Sequence, residues 1–496
     1  MFLSLLLLIP FLGALALIIW PGSPSSARLR EVTIVVLAVQ SVASFALLLP
    51  FDPAQAGLQL VEQARWVHVI GLDYALAVDG LSLPLVLMNG VLCLVAAIAS
   101  REITNRPRIY FALLLVISGA VNGAFLAQNL LLFFLFYELE LIPLWLLIAV
   151  WGGANRAYAA TKFLIVTAVS GVLILLAFLG LALVTGTMDF SLRPILSGEM
   201  GMASQLVLMG ALLIGFGIKI PLFPFHTWLP DAHTEASTPV SVLLAGVLLK
   251  LGTYGLLRFC LGLFPEAWQV ASPWLAGWAA ISVLYGSLAA IAQTDMKRMV
   301  AYSSVGHMGY VLLAAAAATP LGLMGALFQM VSHGLISGVL FLVVGVVYAR
   351  TGTRDLNVLR GLLNPERGLP LTGSLMIIGV MASAGIPGMA GFISEFLIFR
   401  GSLQPFPLAT LLSMVGSGLT AVYFLLLVNR AFFGRLAIAA GAVVNPRILQ
   451  SVPLREQVPA IALTLGVLVL GLAPELLSGL SEAATTSLSQ LSGGLS

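Results

Sequence analysis

The stretch Gly-Phe-Gly-Ile-Lys-Ile-Pro-Leu-Phe-Pro-Phe-His, residues 215–226, lies inside an apolar run from about residue 203 to residue 228. A run of this length can cross a bilayer, which needs about 20 residues. Lys219 falls inside the run, where a lysine costs roughly 2.5–3.5 kcal/mol and usually marks an ion pathway. Pro221 and Pro224 each remove a backbone donor and break the helix. We therefore predict a hydrated, protein-lined site at this break in mid-membrane; the alternative is that Lys219 reaches to the membrane surface.

The composition of the whole chain is that of a membrane protein. Of the 496 residues, 60% are hydrophobic and 9% are charged, and the mean hydropathy is +1.07. Soluble proteins carry about 25% charged residues. The sequence contains neither a Gly-rich dinucleotide fingerprint nor a phosphate-binding loop, and Cys93 and Cys260 alone cannot hold an iron–sulfur cluster. We therefore expect no cofactor on this chain, redox chemistry only on other subunits, and no nucleic-acid partner.

Hydropathy predicts an all-α, polytopic membrane protein with about fourteen spans in a lipid bilayer. The mixed segment 51–79 is predicted to be an ordered excursion outside the membrane that contains a short hairpin. The predicted spans are residues 2–20, 32–50, 80–99, 109–127, 129–150, 161–185, 203–229, 237–261, 272–293, 299–317, 320–349, 371–399, 407–433 and 457–479.

The basic residues predict the orientation of the chain. Of the 23 lysines and arginines, 17 fall in every second loop, 4 fall on the opposite face, and Lys219 and Lys250 fall inside spans. Cytoplasmic loops are enriched in lysine and arginine. Both termini are therefore predicted to lie on the lumenal or periplasmic side.

The span pattern predicts two inverted repeats of five helices, residues 109–261 and 272–433. They are flanked by an N-terminal unit, 1–108, and a C-terminal helix with its tail, 434–496. The fourth helix of each repeat is broken, at Pro221 in the first and at the stretch Gly-Ile-Pro-Gly-Met-Ala-Gly, 385–391, in the second. Inverted repeats with broken helices in matching places are typical of transporters. The alternative is that Gly and Pro are simply frequent in membrane helices.

Ionisable side chains inside the predicted spans are the candidate proton carriers. Glu138 is the natural partner of Lys219, because a nearby carboxylate keeps a lysine charged. Glu140, two residues further on, points to a different side of the helix, and its role stays open. The candidate carriers are Glu138, Lys219, Lys250, His307, His333 and Glu395.

Several of these residues have a structural alternative. Lys250 could cap a carbonyl group of a broken helix, and His307 and His333 could be interhelical hydrogen bonders. Glu395 could be an ordinary carboxylate at a helix end.

Two further histidines, His226 and His233, follow the broken helix at a loop mouth. Their spacing fits no standard metal-ligand pattern, and no Ser/His/Asp arrangement is evident. We predict no metal site and interpret both histidines as structural or as groups on the proton-uptake side.

Several motifs together resemble the antiporter-like subunits of complex I. The resemblance extends over most of the chain from residue 79 to residue 433. Within the family the chain resembles subunit 4, because it has an acid, Glu395, at a position where some sister subunits carry a lysine. The motifs are Tyr-Glu-Leu-Glu-Leu-Ile-Pro-Leu-Trp (137–145), Gly-Ile-Lys-Ile-Pro-Leu-Phe-Pro-Phe-His-Thr-Trp-Leu-Pro-Asp-Ala-His (217–233), Leu-Ala-Gly-Val-Leu-Leu-Lys-Leu-Gly-Thr-Tyr-Gly-Leu-Leu-Arg-Phe (244–259), Thr-Asp-Met-Lys-Arg-Met-Val-Ala-Tyr-Ser-Ser (294–304), His-Met-Gly (307–309) and Gln-Met-Val-Ser-His-Gly (329–334).

This resemblance implies a function and a set of partners. It implies proton translocation coupled to plastoquinone reduction, with iron–sulfur clusters and plastoquinone on other subunits. The partners would be other membrane-arm subunits, including a sister antiporter-like subunit, in a thylakoid membrane, or in the plasma membrane of a non-photosynthetic bacterium. The stretches 391–400 and 428–435 are similar to the cyanobacterial variant of CO2-uptake complexes, which implies a CO2-hydration module as a further partner.

The resemblance also assigns roles to residues at matching positions. Glu138 matches the family's glutamate in span five, Lys219 and Lys250 match its lysines in spans seven and eight, and Glu395 matches its terminal carboxylate. We expect a proton to reach Lys250 from the cytoplasmic side and to pass along the two span histidines to Glu395 and the lumen, with the Glu138–Lys219 pair as a switch. Two other classes stay open: an Mrp-type Na⁺/H⁺ antiporter subunit, and a scaffold that pumps nothing.

Overall fold

The computed structural model describes residues 1–192, 200–366, 368–438, 452–491 and 493. Arg193, Arg367 and Arg447 of the charge pattern, and parts of the predicted unit 434–496, lie outside these residues. Within the described residues, twelve helices are long and apolar enough to cross a membrane. The prediction of a helical, integral membrane protein is confirmed, whereas the count of fourteen spans and the division into inverted repeats stay predictions.

The N-terminal quarter of the chain forms four helices and a β-hairpin. Ser25 caps the start of α2, because its hydroxyl accepts a hydrogen bond from the backbone N–H of Arg28 at 3.3 Å. Pro107, at the first turn of α4, has a fixed φ that suits a helix start. The elements are α1 (Phe2–Ile19), α2 (Ser26–Ala46), β1 (Gln59–Val67), β2 (Leu72–Val78), α3 (Leu83–Ala99) and α4 (Pro107–Leu126).

A β-hairpin of strands β1 and β2 lies between α2 and α3, within the segment 51–79 that is predicted to lie outside the membrane. Its strands are antiparallel, and Arg65 lies opposite Asp73 in the register. Directly after β2, Asp79 forms an ion pair of 2.5 Å with Arg258, which lies on a later helix. The backbone N–H of Ser82 also donates to the Asp79 carboxylate at 2.9 Å. These contacts fasten the hairpin to the helical core.

The next segment contains the first broken helices. The chain leaves α-helical geometry at Glu140 and again after Lys219, and each interruption lies near a proline, Pro143 or Pro221, which lacks a backbone donor. The elements are α5 (Leu130–Leu139), α6 (Leu141–Trp151), α7 (Arg156–Thr185), α8 (Met202–Lys219), α9 (Trp228–Glu235) and α10 (Thr238–Leu261).

Helix α10 contains two π-helical stretches, Leu244–Leu248 and Leu256–Leu261. A π-turn leaves backbone carbonyls out of register with the next turn and is frequent at functional sites. The first stretch ends just before Lys250. It therefore places a free carbonyl group next to the lysine ammonium.

The second half consists of long helices and one span that is broken into two short helices. Asp295 caps α12 by accepting from the backbone N–H groups of Lys297 and Arg298 at 2.7 and 3.0 Å. The predicted span 371–399 forms two short helices, α14 and α15, separated by a turn at 384–389. The elements are α11 (Pro265–Ile291), α12 (Met296–Ala317), α13 (Pro320–Thr351), β3 (Leu359–Arg360), α14 (Pro370–Ser383), α15 (Ala390–Leu403), α16 (Pro407–Ala431) and β4 (Ala437–Ile438).

The C-terminal span is shorter than predicted. α17 (Leu454–Leu472) ends seven residues before the predicted boundary, and the chain turns into a separate amphipathic helix, α18 (Glu475–Leu491). Pro474 accounts for the end of α17, because a proline removes the backbone donor that the helix would need next. The hydroxyl of Ser489 in α18 donates to the Ala318 carbonyl at 2.7 Å, which holds α18 against the end of α12.

Three helices occupy the centre of the molecule. The most apolar stretch of α10 is 100% buried, that of α12 is 94% buried and that of α13 is 89% buried, whereas α7 and α16 bury only 39%. The inner helices therefore contact protein on all sides, and the outer ones leave apolar side chains for lipid. Lys250, His307 and His333 lie near the middle of these three inner helices.

The ion pair at Asp79 predicts a measurable stability effect. Burial opposes the charge on Asp79, but the Arg258 guanidinium and the hydrogen bonds from Ser82 outweigh it, so the pKa of Asp79 is lowered. We expect Asp79→Asn to reduce the free energy of unfolding by about 3 kcal/mol, because Arg258 loses the partner of a largely buried charge. The effect is measured as a lower unfolding temperature of the purified complex in detergent.

A matched control lies in the same hairpin. Asp73→Asn changes an exposed carboxylate and is expected to have an effect within about 0.5 kcal/mol. Because the pKa of Asp79 is lowered in the folded state, its stabilisation is present above the ordinary pKa of 3.8 and is lost only as the pH falls through the lowered value. Equal effects of the two substitutions would contradict the role of this pair.

Candidate functional site

Lys219 is the last residue of α8, at the break that the sequence predicted. Protein groups satisfy the carbonyls that the break releases, as a site inside a membrane requires. The indole N–H of Trp228 donates to the Ile218 carbonyl at 2.9 Å, and the indole of Trp278 donates to the Phe223 carbonyl. The break in α8 is therefore stabilised by hydrogen bonds from other parts of the protein interior.

The Lys219 ammonium forms a buried ion pair with Glu140. Its Nζ lies 2.6 Å from Oε1 of Glu140, and the two side chains are 2% and 0% exposed. The same ammonium lies 3.4 Å from the centroid of the Tyr137 ring and 3.3 Å from the Tyr137 carbonyl oxygen. A carboxylate, an aromatic face and a carbonyl thus replace the water that a buried ammonium loses.

The predicted pairing of Lys219 with Glu138 is wrong in this structure. Glu138 is only half-buried and faces Gly171 of α7, where a Cβ atom would lie 2.3 Å from its Oε1. Lys219 acts on Glu138 electrostatically without contacting it. The sequence showed that the two carboxylates face different sides of the helix. It could not show which side faces Lys219, because the helix is interrupted at Glu140 itself.

Lys250 lies in the centre of the molecule and is 0% exposed. Its Nζ donates to the Ala245 carbonyl at 2.6 Å, within the first π-helical stretch of α10. Its second contact is with Nδ1 of His333 at 2.7 Å. Lys250 therefore does cap a backbone carbonyl group, as the structural alternative proposed. It also contacts His333, which can take up and release a proton.

The two span histidines continue this contact chain. Nε2 of His333 lies 3.1 Å from the Ser304 hydroxyl, and the ring centroids of His333 and His307 are 5.5 Å apart. If Nδ1 of His333 accepts from Lys250, its Nε2 carries the hydrogen and donates to Ser304. Nε2 of His307 lies 3.3 Å from the Ser383 carbonyl, at the end of α14.

A small cavity separates the histidines from Glu395. Its volume is about 10 Å³, which is room for about one water molecule. Glu395 is 6% exposed and accepts a hydrogen bond from the Ser417 hydroxyl at 2.6 Å. The cavity is lined by His307, Gln329, Ser332, His333, Ile336, Ala382, Ser383, Gly391 and Glu395.

The break between α14 and α15 shapes this cavity. Gly385 has a φ of +70°, and a Cβ atom there would lie 2.9 Å from Oε2 of Glu395. Gly391 approaches the Ala382 carbonyl so closely that a Cβ would lie 1.9 Å from its oxygen. Both glycines are therefore required for the close approach of the broken ends to Glu395.

The broken end of α8 contacts α10 close to Lys250. A Cβ atom at Gly252 would lie 3.1 Å from the backbone nitrogen of Ile220, the residue after Lys219. Gly252 is two residues from Lys250. The broken end of α8 therefore packs directly on the turn of α10 that follows Lys250.

His233 is a polar residue in the core whose environment the sequence did not predict. It is 0% exposed, its ring stacks on Phe341 at 4.6 Å, and neither ring nitrogen has a hydrogen-bond partner among the described residues. Both Lys250 and Lys297 act on it electrostatically. Lys297 is itself buried, and its Nζ donates to the Ala236 carbonyl at 2.5 Å. The motif 294–304 contained Lys297, but hydropathy assigned it to a loop.

His226 lies in a different environment. Its ring packs against Tyr285 at 4.7 Å and against Phe223 at 5.8 Å between centroids. Among the residues that the structure describes, no group of three His, Cys, Asp or Glu side chains is placed to hold a metal ion. Cys93 and Cys260 are both buried free thiols.

Comparison with known proteins identifies similar chains. Residues 127–420 match the family described as NADH:quinone oxidoreductase/Mrp antiporter, transmembrane. The NAD(P)H-quinone oxidoreductase chain 4 1 of Synechococcus sp. (strain JA-3-3Ab) is 44% identical over 484 residues, which are 96% of this chain and 90% of that protein.

Solved structures share the whole fold. A chain of respiratory complex I from Thermus thermophilus with bound NADH superposes with a TM-score of 0.88 at 29% identity, covering 100% of both chains. A chain of the Mrp complex from Dietzia sp. DQ12-45-1b superposes with a TM-score of 0.86 at 24% identity, covering 100% of this chain and 99% of that one. The second likeness concerns the fold alone.

The pairing of Lys219 predicts an asymmetry between the two glutamates. We expect Lys219→Met to destabilise the protein by about 3–5 kcal/mol, because it leaves Glu140 buried without a partner. Adding Glu140→Gln should restore most of this loss, whereas adding Glu138→Gln should not. The measurement is the unfolding temperature of the assembled complex for the three variants. Rescue by Glu138→Gln alone would assign the pair to the other glutamate.

Proposed function

The chain belongs to the family of NADH:quinone oxidoreductase and Mrp antiporter membrane subunits, and from this we propose that it translocates protons as chain 4 of a NAD(P)H-quinone oxidoreductase. The observation that carries the proposal is the contact of 2.7 Å between Lys250 Nζ and His333 Nδ1, deep inside the protein. Unpaired lysines are rare in membrane interiors, and an intramembrane lysine in contact with a histidine suits proton transfer.

In the proposed route, a proton that reaches Lys250 passes to Nδ1 of His333. The imidazole releases its other proton from Nε2 to the Ser304 hydroxyl, which leads towards His307. One water in the cavity would then connect the histidines to Glu395. From Glu395 the proton leaves on the lumenal side, on which both chain termini are proposed to lie.

The Lys219–Glu140 pair is proposed to act as the switch, with Glu138 as a second carboxylate within electrostatic range. When Lys219 moves away from Glu140, its positive charge is no longer neutralised. Two unit charges about 10 Å apart interact by roughly 1.7 kcal/mol at an effective dielectric constant of 20. This is more than a tenfold change in a binding equilibrium, so movement of Lys219 would drive a proton off Lys250.

Uptake from the basic side is proposed to use His233. The side chains of His333, Ser337 and Phe341 lie at spacings of four residues on one face of α13. Because Phe341 stacks on His233, the distance along α13 from His233 to His333 is about 12 Å, at 1.5 Å per residue. Ser337 lies halfway between His333 and Phe341 along α13. Lys297 lies on the side of His233 that is nearer the basic loops.

The chain is proposed to assemble into a NAD(P)H-quinone oxidoreductase complex. Other membrane-arm subunits, including a sister antiporter-like subunit, would transmit the drive, and iron–sulfur clusters and plastoquinone would be carried by other chains. A thylakoid membrane and a CO2-hydration module as partner are the finer parts of the proposal. The likeness to a cyanobacterial chain 4 supports the thylakoid membrane, and the CO2-hydration module rests on the resemblance of the stretches 391–400 and 428–435 to the CO2-uptake variant.

Proton translocation is tested in the assembled complex, reconstituted in vesicles with a quinone. We expect Lys250→Met and Glu395→Gln to reduce quinone-coupled proton movement at least tenfold, measured with a pH-sensitive dye, with the subunit still assembled. Glu482→Gln, at an exposed position of α18, is the control and should pump normally. Wild-type proton movement by assembled Lys250→Met would reject the route.

The same vesicles separate this function from its two rivals. We expect pumping to be independent of Na⁺, and a Na⁺ gradient alone should move no protons, because the proposed route runs through the imidazole nitrogens of His333 and His307, which carry protons and are poor ligands for Na⁺. Na⁺-driven proton exchange would favour the antiporter. Full quinone reduction with wild-type proton movement in both the Lys250→Met and the Glu395→Gln complexes would favour the scaffold.

A further inference from the structure

Three arginines from different parts of the chain converge on the basic side of the molecule. The Ser26 hydroxyl donates to the Ile103 carbonyl, which ties the start of α2 to the loop after α3. In that loop, the Arg101 guanidinium donates to the carbonyl of Arg455 at the start of α17. Arg30, one turn into α2, therefore lies on the same side as Arg101 and Arg455.

The positive charge of this cluster is not neutralised within the described residues. Burial and then the charges of Arg30 and Arg455 lower the pKa of Arg101, while Glu456 acts in the other direction. Glu456 is already engaged by Arg350, 2.5 Å away.

The nearby glutamates that the structure describes do not pair with the arginines of the cluster. Glu31 and Glu102 are exposed and make no ion pair in the described part of the chain. The Nε–H groups of Arg30 and Arg350 are buried and have no hydrogen-bond partner there. Donors and charge both remain for an external anion.

Below the cluster, α3 presents a stripe of partly exposed apolar side chains. The stripe is Leu87, Val91, Leu94 and Ile98, at spacings of four, three and four residues. On one side of it, Gly90 meets Ser41 of α2.

On the other side of the stripe, Leu92 and Leu463 of α17 both lie against Gly338 of α13. The stripe is therefore the floor of a groove between α2 and α17. The walls continue the apolar surface, since Val42 of α2 is 69% exposed and Leu465 of α17 is 57% exposed.

We propose that this groove holds one anionic phospholipid, with its phosphate at Arg30, Arg101 and Arg455 and its acyl chains on the α3 stripe. Guanidinium groups bind phosphate oxygens through paired, charge-assisted hydrogen bonds. The positive ends of the helix dipoles at the starts of α2 and α17 also favour an anion. Clusters of arginine on the cytoplasmic side of a membrane are a recognised setting for anionic headgroups. The apolar floor distinguishes a lipid from a free anion.

The test uses the purified, delipidated complex in nanodiscs of phosphatidylcholine with or without phosphatidylglycerol. Native mass spectrometry counts retained phosphatidylglycerol. We expect the double variant Arg30→Gln/Arg101→Gln to retain one molecule fewer than the wild type, with at least tenfold weaker binding at this site. Arg106→Gln, an exposed arginine of the same loop, is the matched control and should retain the wild-type number.

Two further measurements distinguish a bound lipid from a free anion and from a loss of assembly. Arg30→Lys/Arg101→Lys preserves the charge and the assembly, and it should bind more tightly than the Gln variant and less tightly than the wild type. Unchanged retention in the assembled Gln variant would overturn the proposal. Stabilisation of the phosphatidylcholine nanodisc complex by inorganic phosphate, equal to that by phosphatidylglycerol, would overturn the lipid assignment in favour of a free anion. Quinone-coupled pumping is a separate readout, so failure here leaves the proton route standing.

Discussion

The structure depends on one buried charge pair at a place where a helix ends. An isolated lysine or glutamate in the membrane interior would be costly, and removing one partner of such a pair is worse than having neither. Lys219 and Glu140 solve this problem through a contact of 2.6 Å, an aromatic face and a carbonyl. Both residues stand at helix interruptions, so the pair joins two ends that could otherwise separate. The Lys219–Glu140 pair therefore holds the two helix ends together, and the proposed switch uses the charge of its lysine.

The two halves of the site use the same device. In the first half, the break after Lys219 brings a charged group beside irregular backbone. In the second half, the break between α14 and α15 brings Glu395 against Gly385, which has a φ of +70°. The π-turn before Lys250 lies between them and supplies the carbonyl that the ammonium contacts. Irregular backbone is tolerated inside a membrane only where it is buried in protein or lines a cavity, and here it does both.

The sequence was sufficient for the parts of the molecule that depend on hydropathy and proline. It located the break at Pro221, the hairpin within residues 51–79 and the buried charges of Lys219 and Lys250, because long apolar runs and charges inside them are visible in one dimension. It was insufficient for the partner of Lys219, since the choice between Glu138 and Glu140 depends on the direction of a helix that is interrupted there. Hydropathy also missed Lys297, because a lysine at a span boundary looks solvated until its neighbours are placed.

His233 shows why such a site holds polar groups that hydrogen bonding does not explain. A buried imidazole with no partner costs stability, because the desolvation of its nitrogens is not repaid. The stack on Phe341 orients the ring but satisfies neither nitrogen. An inert core would place an apolar residue at this position at no cost. Its position within electrostatic range of Lys297 and Lys250 instead fits the uptake role proposed for it, in which an unsatisfied ring nitrogen accepts a proton when a neighbouring lysine is neutral.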